Sequence, residues 1–247
     1  MSGQTIYLAM SGLNATLDKM TAATNNLANA STVAFKAQQP VFEAEPYYGQ
    51  GLPDRVNVVS VDDSADFKPG PIDQTGRDLD VAINGSGWIG VQANDGSIAL
   101  TRNGSLSISS SGVLQTSDGN PVLGQGGAPI TLPPLQSVTI GEDGTISGVP
   151  LGQPATSVTT LNRILLANPP TAQLKRRGDG LFQAQGGAPV ADASVKLQVG
   201  ALEGSNANSV AMMMSMIENS RMFQMQTELV HMTLTQGQGQ SSPLTLS

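Results

Sequence analysis

Apolar residues at alternating steps of four and three mark both ends of this chain, and a chain so patterned must cover two narrow stripes. The first stripe is Ile6, Met10, Leu13, Leu17, Met20, Thr24, Leu27 and Ser31. The second is Met213, Met216, Ser220, Phe223, Thr227, Val230 and Leu234. Such spacing is the heptad seam of a helix that lies along another helix. It predicts one long helix over residues 4–31 and a second that Ser205 or Asn206 caps and Gly237 and Gly239 end. Pro243 excludes a longer one, and the tail "QGQGQSSPLTLS" (236–247) is expected to be flexible. Two seams this narrow suit coiled-coil association of the two ends rather than burial in a globular core. Gly12 costs the first helix roughly 0.5–1 kcal/mol against Ala, which close approach of a neighbouring helix would offset.

Between the seams the period changes to two. "RVNVVSV" (55–61), "DVAI" (80–83), "WIGVQ" (88–92), "IALTR" (98–102), "LSIS" (106–109), "SVTI" (137–140) and "KLQV" (196–199) read as strands. Asn103-Gly104, Asp118-Gly119 and Asp143-Gly144 are tight-hairpin dipeptides, and "VAINGSGWIGV" reads as a hairpin that buries Trp88. The fold class is therefore α+β: long N- and C-terminal helices that pair, around a β-rich middle of short strands and hairpins. The expected divisions are a first helix and its following turn at 1–36, an extended linker at 37–75, a β-rich domain at 76–200, and the second helix with its tail at 201–247.

Composition narrows the function. A net charge of −7 argues against nucleic acid or an anionic membrane surface as partner. Absent cysteine excludes disulfides and thiolate chemistry. No apolar run is long enough to span a membrane, and the N-terminus lacks the pattern of a cleaved secretory signal. The single histidine, His231, has no acidic or hydroxyl partner at diagnostic spacing. Asp62-Asp63, Asp78 with Asp80, and Glu142-Asp143 read as solvated turns, since none has calcium-loop spacing. "KRR" (175–177) reads as a solvated loop. Met212, Met213 and Met214 point about 100° apart on a helix, so they suit adaptable packing rather than a shared metal ion. No catalytic constellation, metal site or cofactor is expected, and the chain is read as no enzyme.

"NNLANASTVAFK" (25–36) places amides where the first helix ends. Asn25 with Asn29, and Asn26 with Asn29, fall on one side of a helix. From the pattern alone the patch is either a contact surface or a helix fraying into a linker.

"IYLAMSG" (6–12), "NNLANASTVAFKA" (25–37), "GRDLDVAINGSGWIGVQANDGS" (76–97), "TRNGSLSISSSGVL" (101–114), "GEDGTISG" (141–148), "GLFQA" (180–184) and "VGALEGSNANSVAMMMSMIENSRMFQMQ" (199–226) follow one another in order. Together they resemble the axial proteins of the bacterial flagellum, and among these the rod proteins of the basal body, in its proximal part. Two positions depart from the family pattern: Ala34 stands where Gly usually precedes the phenylalanine, and Met222-Phe223 where an aromatic pair or Tyr is common. The resemblance implies a subunit of a hollow helical drive shaft in the periplasm. It also implies export through the flagellar type III apparatus without a cleaved signal. The implied partners are further copies of the chain and other proximal- and distal-rod proteins. The terminal helices would line the tube and the β-rich middle would lie outside. The subunit-packing residues implied are Ile6, Met10, Leu13, Leu17, Met20, Asn25, Asn26, Leu27, Asn29 and Phe35, with Met213, Met216, Ile217, Phe223, Val230 and Leu234. The amides would bond neighbouring chains, and Phe35 would anchor the turn that follows. In the free subunit the helical ends are expected to order only on assembly, leaving a protected core of roughly residues 40 to 200. A distal-rod protein and a secreted β-rich binding module are the alternatives.

Overall fold

The computed structural model describes residues 2–46 and 56–239, with side chains placed for 10–43, 64–232 and residue 235. The chain divides into two compact units. The first comprises residues 1–29, 38–66 and 207–247, and the second residues 30–37 and 67–206.

The first unit holds helix α1 (Ser2–Ala28), strands β1 (Gln38–Pro46) and β2 (Val56–Ala65), and helix α2 (Ser209–Gly239). Both helices occur where the seams predict them. The cap of α2 is Asn208, whose Oδ1 accepts from the N–H groups of Val210 and Ala211 at 3.0 and 3.1 Å, and not Ser205 or Asn206. The two helices pack along each other, but α1 does not present its heptad seam as its buried face. Among the described residues of α1 the buried ones are Thr16, Ala22, Ala23 and Asn26. Thr16 Oγ1 donates to Gln226 Oε1 of α2 at 2.9 Å, and a methyl group on Gly12 would stand 3.5 Å from Gln226 Nε2. Small side chains let the backbones approach, so the glycine sits where α2 comes close. The larger seam residues are left aside: Leu13, Met20 and Leu27 are half-buried, and Met10 and Leu17 are exposed. In α2 the seam holds better, with Met216, Phe223 and Val230 half-buried.

The stretch read as an extended linker holds a hairpin. β1 and β2 pair antiparallel with a bulge between Val41 and Phe42. Asp62 and Asp63 therefore lie in a strand rather than in a turn.

The second unit is built from β3 (Ile72–Gln74), β4 (Val81–Asn84), β5 (Trp88–Gln92), β6 (Ile98–Thr101), β7 (Leu106–Ile108), β8 (Leu114–Thr116), β9 (Leu135–Ile140), β10 (Thr145–Pro150), β11 (Thr159–Arg163), β12 (Leu166–Ala167), β13 (Leu174–Arg176), β14 (Phe182–Ala184), β15 (Lys196–Val199) and β16 (Ala201–Glu203). The largest sheet has the order β12-β5-β6-β14-β13, beside β11-β10-β9 and the pairs β15-β4, β16-β3 and β7-β8. Aliphatic side chains fill the core, among them Val81, Ile89, Leu106, Leu114, Ile146 and Ile164. Trp88 is buried as expected, with its ring 4.8 Å from that of Phe182 and 5.9 Å from that of Phe67. Asp143-Gly144 closes the β9–β10 hairpin, and Asp118-Gly119 turns the chain after β8. Asn103-Gly104 instead carries the chain from β6 to β7, which belong to different sheets. "VAINGSGWIGV" is likewise no hairpin, because β4 pairs with β15 and β5 with β6.

Residues 30–37 belong to this second unit although they follow α1 directly. Ala34 N–H donates to Glu203 O at 2.7 Å, Asn206 N–H to Phe35 O at 3.2 Å, and Ala37 N–H to Asn206 Oδ1 at 2.7 Å. Ala34 has φ 57°, a left-handed conformation that favours glycine. Ala34→Gly should raise the stability of this unit by about 0.5–1 kcal/mol, because relief of left-handed strain outweighs the added chain entropy. Urea unfolding followed by the fluorescence of Trp88, the chain's one tryptophan, measures it. An unchanged midpoint would mean that Ala34 is not held in that conformation.

Candidate functional site

The second unit is fastened by a charge cluster that the sequence reading did not single out. Residue alternation along β16 puts Glu203 on the same side as buried Ala201, and its side chain is 1% exposed. A lone carboxylate there would be costly, so it must be paired. Lys36 Nζ donates to Glu203 Oε1 at 2.6 Å and to Lys68 O at 2.8 Å. Gly70 N–H donates to the same Oε1 at 2.9 Å. Arg102 Nη1 stands 3.2 Å from Oε2, its Nε donates to Gly87 O at 3.0 Å, and its Nη2 donates to Gly85 O. The guanidinium also lies 5.7 Å from the centre of the Trp88 ring. Burial pushes the Arg102 pKa below its ordinary value, and Glu203 opposes the shift. Two buried cations thus share one carboxylate, and three backbone carbonyls accept further hydrogen bonds from them.

The amides at the end of α1 serve two different ends. Asn26 is buried, with Nδ2 donating to Gln38 O at 2.9 Å and Oδ1 accepting from Gln38 N–H at 2.7 Å. It holds the start of β1 as a paired strand would, so its amide is engaged inside the chain rather than with a neighbour. Asn29 Nδ2 donates to Asn25 O at 2.9 Å and covers a carbonyl at the helix end. The Asn25 side chain is exposed. Phe35 is half-buried beneath Arg176, whose guanidinium lies 4.8 Å from the ring centre and whose Nη1 donates to Lys36 O at 2.8 Å. The "KRR" run is therefore built into the unit: Arg177 also pairs with Asp95 at 2.9 Å and with Asp179 at 3.1 Å. Asp80, read as part of a solvated turn, is buried and accepts from Thr75 Oγ1 at 2.7 Å. Asp143 stays at its turn, where Thr145 and Arg163 hold its pKa below the ordinary range. His231 is exposed on α2, and among the described residues no group of carboxylates and imidazoles could hold a metal ion.

The remaining packing residues lie on the helices of the first unit. Met213 and Ile217 are exposed on α2, away from half-buried Met216, Phe223 and Val230. The side chains of Ile6 and Leu234 lie outside those described.

Three stretches match known protein families. Residues 6–36 match the family described as flagella basal body rod protein, 82–148 the D1 domain of flagellar hook protein FlgE/F/G, and 198–233 the C-terminal part of flagellar basal body rod FlgEFG protein. The flagellar basal-body rod protein FlgF of Escherichia coli is 40% identical over 91% of this chain and 92% of its own length. That of Salmonella typhimurium is 41% identical over the same shares. The rod protein FlgG of Buchnera aphidicola is 30% identical over 92% of this chain and 94% of its own.

The chain belongs to the flagellar basal-body rod proteins, of the FlgF type.

It is a structural subunit of the rod, the shaft part of a motility apparatus. Each charge of the buried cluster comes from a different matched stretch: Lys36 from the first, Arg102 from the second and Glu203 from the third. This rod protein therefore closes its β-rich unit with residues from all three. Glu203→Gln should destabilise that unit by about 3–5 kcal/mol, because two buried cations lose their counter-charge. Lys36→Met should cost clearly less, since Glu203 then keeps Arg102. Equal effects in urea unfolding followed at Trp88 would contradict the shared-carboxylate geometry.

Proposed function

We propose that this rod protein sits in the proximal rod and assembles by laying the outer faces of α1 and α2 against neighbouring axial subunits. Support comes from α2, which carries apolar residues on two opposite sides, with the charged Glu218, Arg221 and Glu228 set among those of the outer side. At about 100° per residue, Met216, Phe223 and Val230 form one stripe, and Val210, Met214, Ile217, Met225, Leu229 and Met232 form another on the far side. The first is turned toward the interior of the unit. The second is uncovered, with Ile217 56% and Leu229 55% exposed. Exposed apolar residues grouped along one side of a helix mark an interaction surface. Met10 and Leu17, with half-buried Leu13, Met20 and Leu27, give α1 a second uncovered stripe. Two unlike stripes suit a heterologous contact, in which one subunit's α2 meets another's α1 and the series does not close. Asn25 lies exposed beside the end of the α1 stripe and would hydrogen-bond across that contact.

The partners on this reading are further copies of the chain, other proximal-rod proteins and the distal-rod protein. Delivery is through the flagellar type III export apparatus, without a cleaved signal, to the periplasm. The chain acts as a packing element and not as an enzyme, in keeping with relatives named as rod proteins. A net charge of −7 disfavours nucleic acid as a partner, and among the described residues no helix is long and apolar enough to cross a membrane.

Ile217→Asp should abolish incorporation into basal bodies and swimming while Trp88 fluorescence of the purified subunit stays native. A buried unpaired carboxylate in the contact costs several kcal/mol, which corresponds to a loss of 100-fold or more, on the order of the transfer penalty. Val190→Asp, at a site of the β-rich unit that is 82% exposed, should leave both intact. Normal swimming of the Ile217→Asp strain would remove α2's outer face from the contact.

A further inference from the structure

All ten methionines lie in the terminal segments, three at positions 1, 10 and 20 and seven between 212 and 232. The β-rich unit has none, and the chain has no cysteine. Every sulfur atom therefore belongs to the helical unit. Met214, Met225 and Met232 share the uncovered face of α2 at 60%, 59% and 53% exposure, with Met213 and Met222 at its margins. Met212 and Met216 are half-buried on the other side. Leucine would serve helix formation and burial as well, with a better-defined shape. A thioether adds two properties: a polarisable surface that adapts to unlike partners, and a sulfur that gives up an electron pair.

We propose that the uncovered methionines of α2 are an oxidation site for peroxide-class oxidants, and that sulfoxide formation there keeps the unassembled subunit out of the rod. The proposal rests on the docking role of this face. In the reaction the thioether sulfur attacks one oxygen of hydrogen peroxide. A sulfur–oxygen bond forms as the oxygen–oxygen bond breaks. Sulfur is oxidised by two electrons, peroxide is reduced, and the departing hydroxide takes the proton of the transferred oxygen to leave as water. The product is polar and chiral where the contact needs an apolar surface. A sulfoxide oxygen buried without a donor is penalised like any buried unpaired acceptor. Once a neighbour covers the face, its sulfurs are shielded, so the sensitivity belongs to the free subunit. Methionine sulfoxide reductases, one for each epimer, reverse the change. No thiol competes for the oxidant within the chain, and the β-rich unit is untouched by it.

Limiting hydrogen peroxide on the dilute full-length protein, followed by peptide mass spectrometry, tests the site. Met214, Met225 and Met232 should oxidise before Met212 and Met216, with Trp88 fluorescence unchanged. In cells, the M214Q/M225Q/M232Q variant, which mimics the polarity of the sulfoxide, should lower incorporation into basal bodies by roughly tenfold or more. M214L/M225L/M232L keeps the face apolar but has no sulfur there to oxidise, so whatever its own level of incorporation, a sublethal peroxide dose that halts incorporation of the wild type should not lower it further. Uniform oxidation of all the methionines, undiminished incorporation of the glutamine variant, or continued peroxide sensitivity of the leucine variant would each overturn the proposal. Incorporation that survives Ile217→Asp would overturn the docking role instead.

Discussion

A buried carboxylate with two cations decides where this chain's units begin and end. Glu203 ends the last strand of the β-rich unit, only six residues before α2. Through Lys36 it draws in the residues after α1, and through Arg102 it draws in the turn between β4 and β5. The cluster lies where the chain enters and leaves the unit. Lys68 O accepts from Lys36 and from Asn206, and Asn206 accepts from Ala37. Buried ion pairs add little net stability against well-packed apolar residues, but they penalise any arrangement that separates their members. Here that selectivity falls on the points where the chain passes between its units.

The helices follow the opposite logic. The face of α1 that is buried in its own unit is made of small residues, and its larger apolar residues stand aside. In α2 the apolar residues occupy both sides. Packing within the chain thus uses up only part of the apolar surface, and the rest is open to the contact proposed with neighbouring axial subunits. Full burial of a large apolar side chain stabilises by roughly 1.5–3 kcal/mol. Ordering the backbone costs about 1–2 kcal/mol per residue. A half-covered pair of helices has a small margin of its own, and on the proposed contact a neighbouring subunit would widen it.

Much of this was legible in the sequence. The 3.5 period located both helices, and the period of two located seven strands, Trp88 among them. The same 3.5 period misassigned the inward face of α1, since a seam states that a stripe will be covered but not by which chain. Asn26 was read as a contact between chains, because amide spacing carries no information about a backbone twelve residues away. Glycine dipeptides identified turns but could not tell a hairpin from a crossing between sheets at Asn103-Gly104. The charge cluster was hidden because Lys36, Arg102 and Glu203 are far apart in sequence. Its one local signal was Glu203 at period two from apolar Ala201, in a chain with few charges. The departure at Ala34 was visible as a missing glycine, and its left-handed backbone supplies the reason.

Amide hydrogen exchange on the dilute, full-length monomer bears most directly on the division described here. Residues 30–37 should exchange on the timescale of β5 and β15, since the amides of Ala34 and Ala37 are held by Glu203 and Asn206. Residues 10–28 of α1 should exchange faster, because Met10 and Leu17 on their outer stripe are uncovered in the monomer. Exchange through 30–37 as fast as that of α1 would contradict the account: the segment would then belong with the helix it follows, and the buried charges would not be what joins it to the β-rich unit.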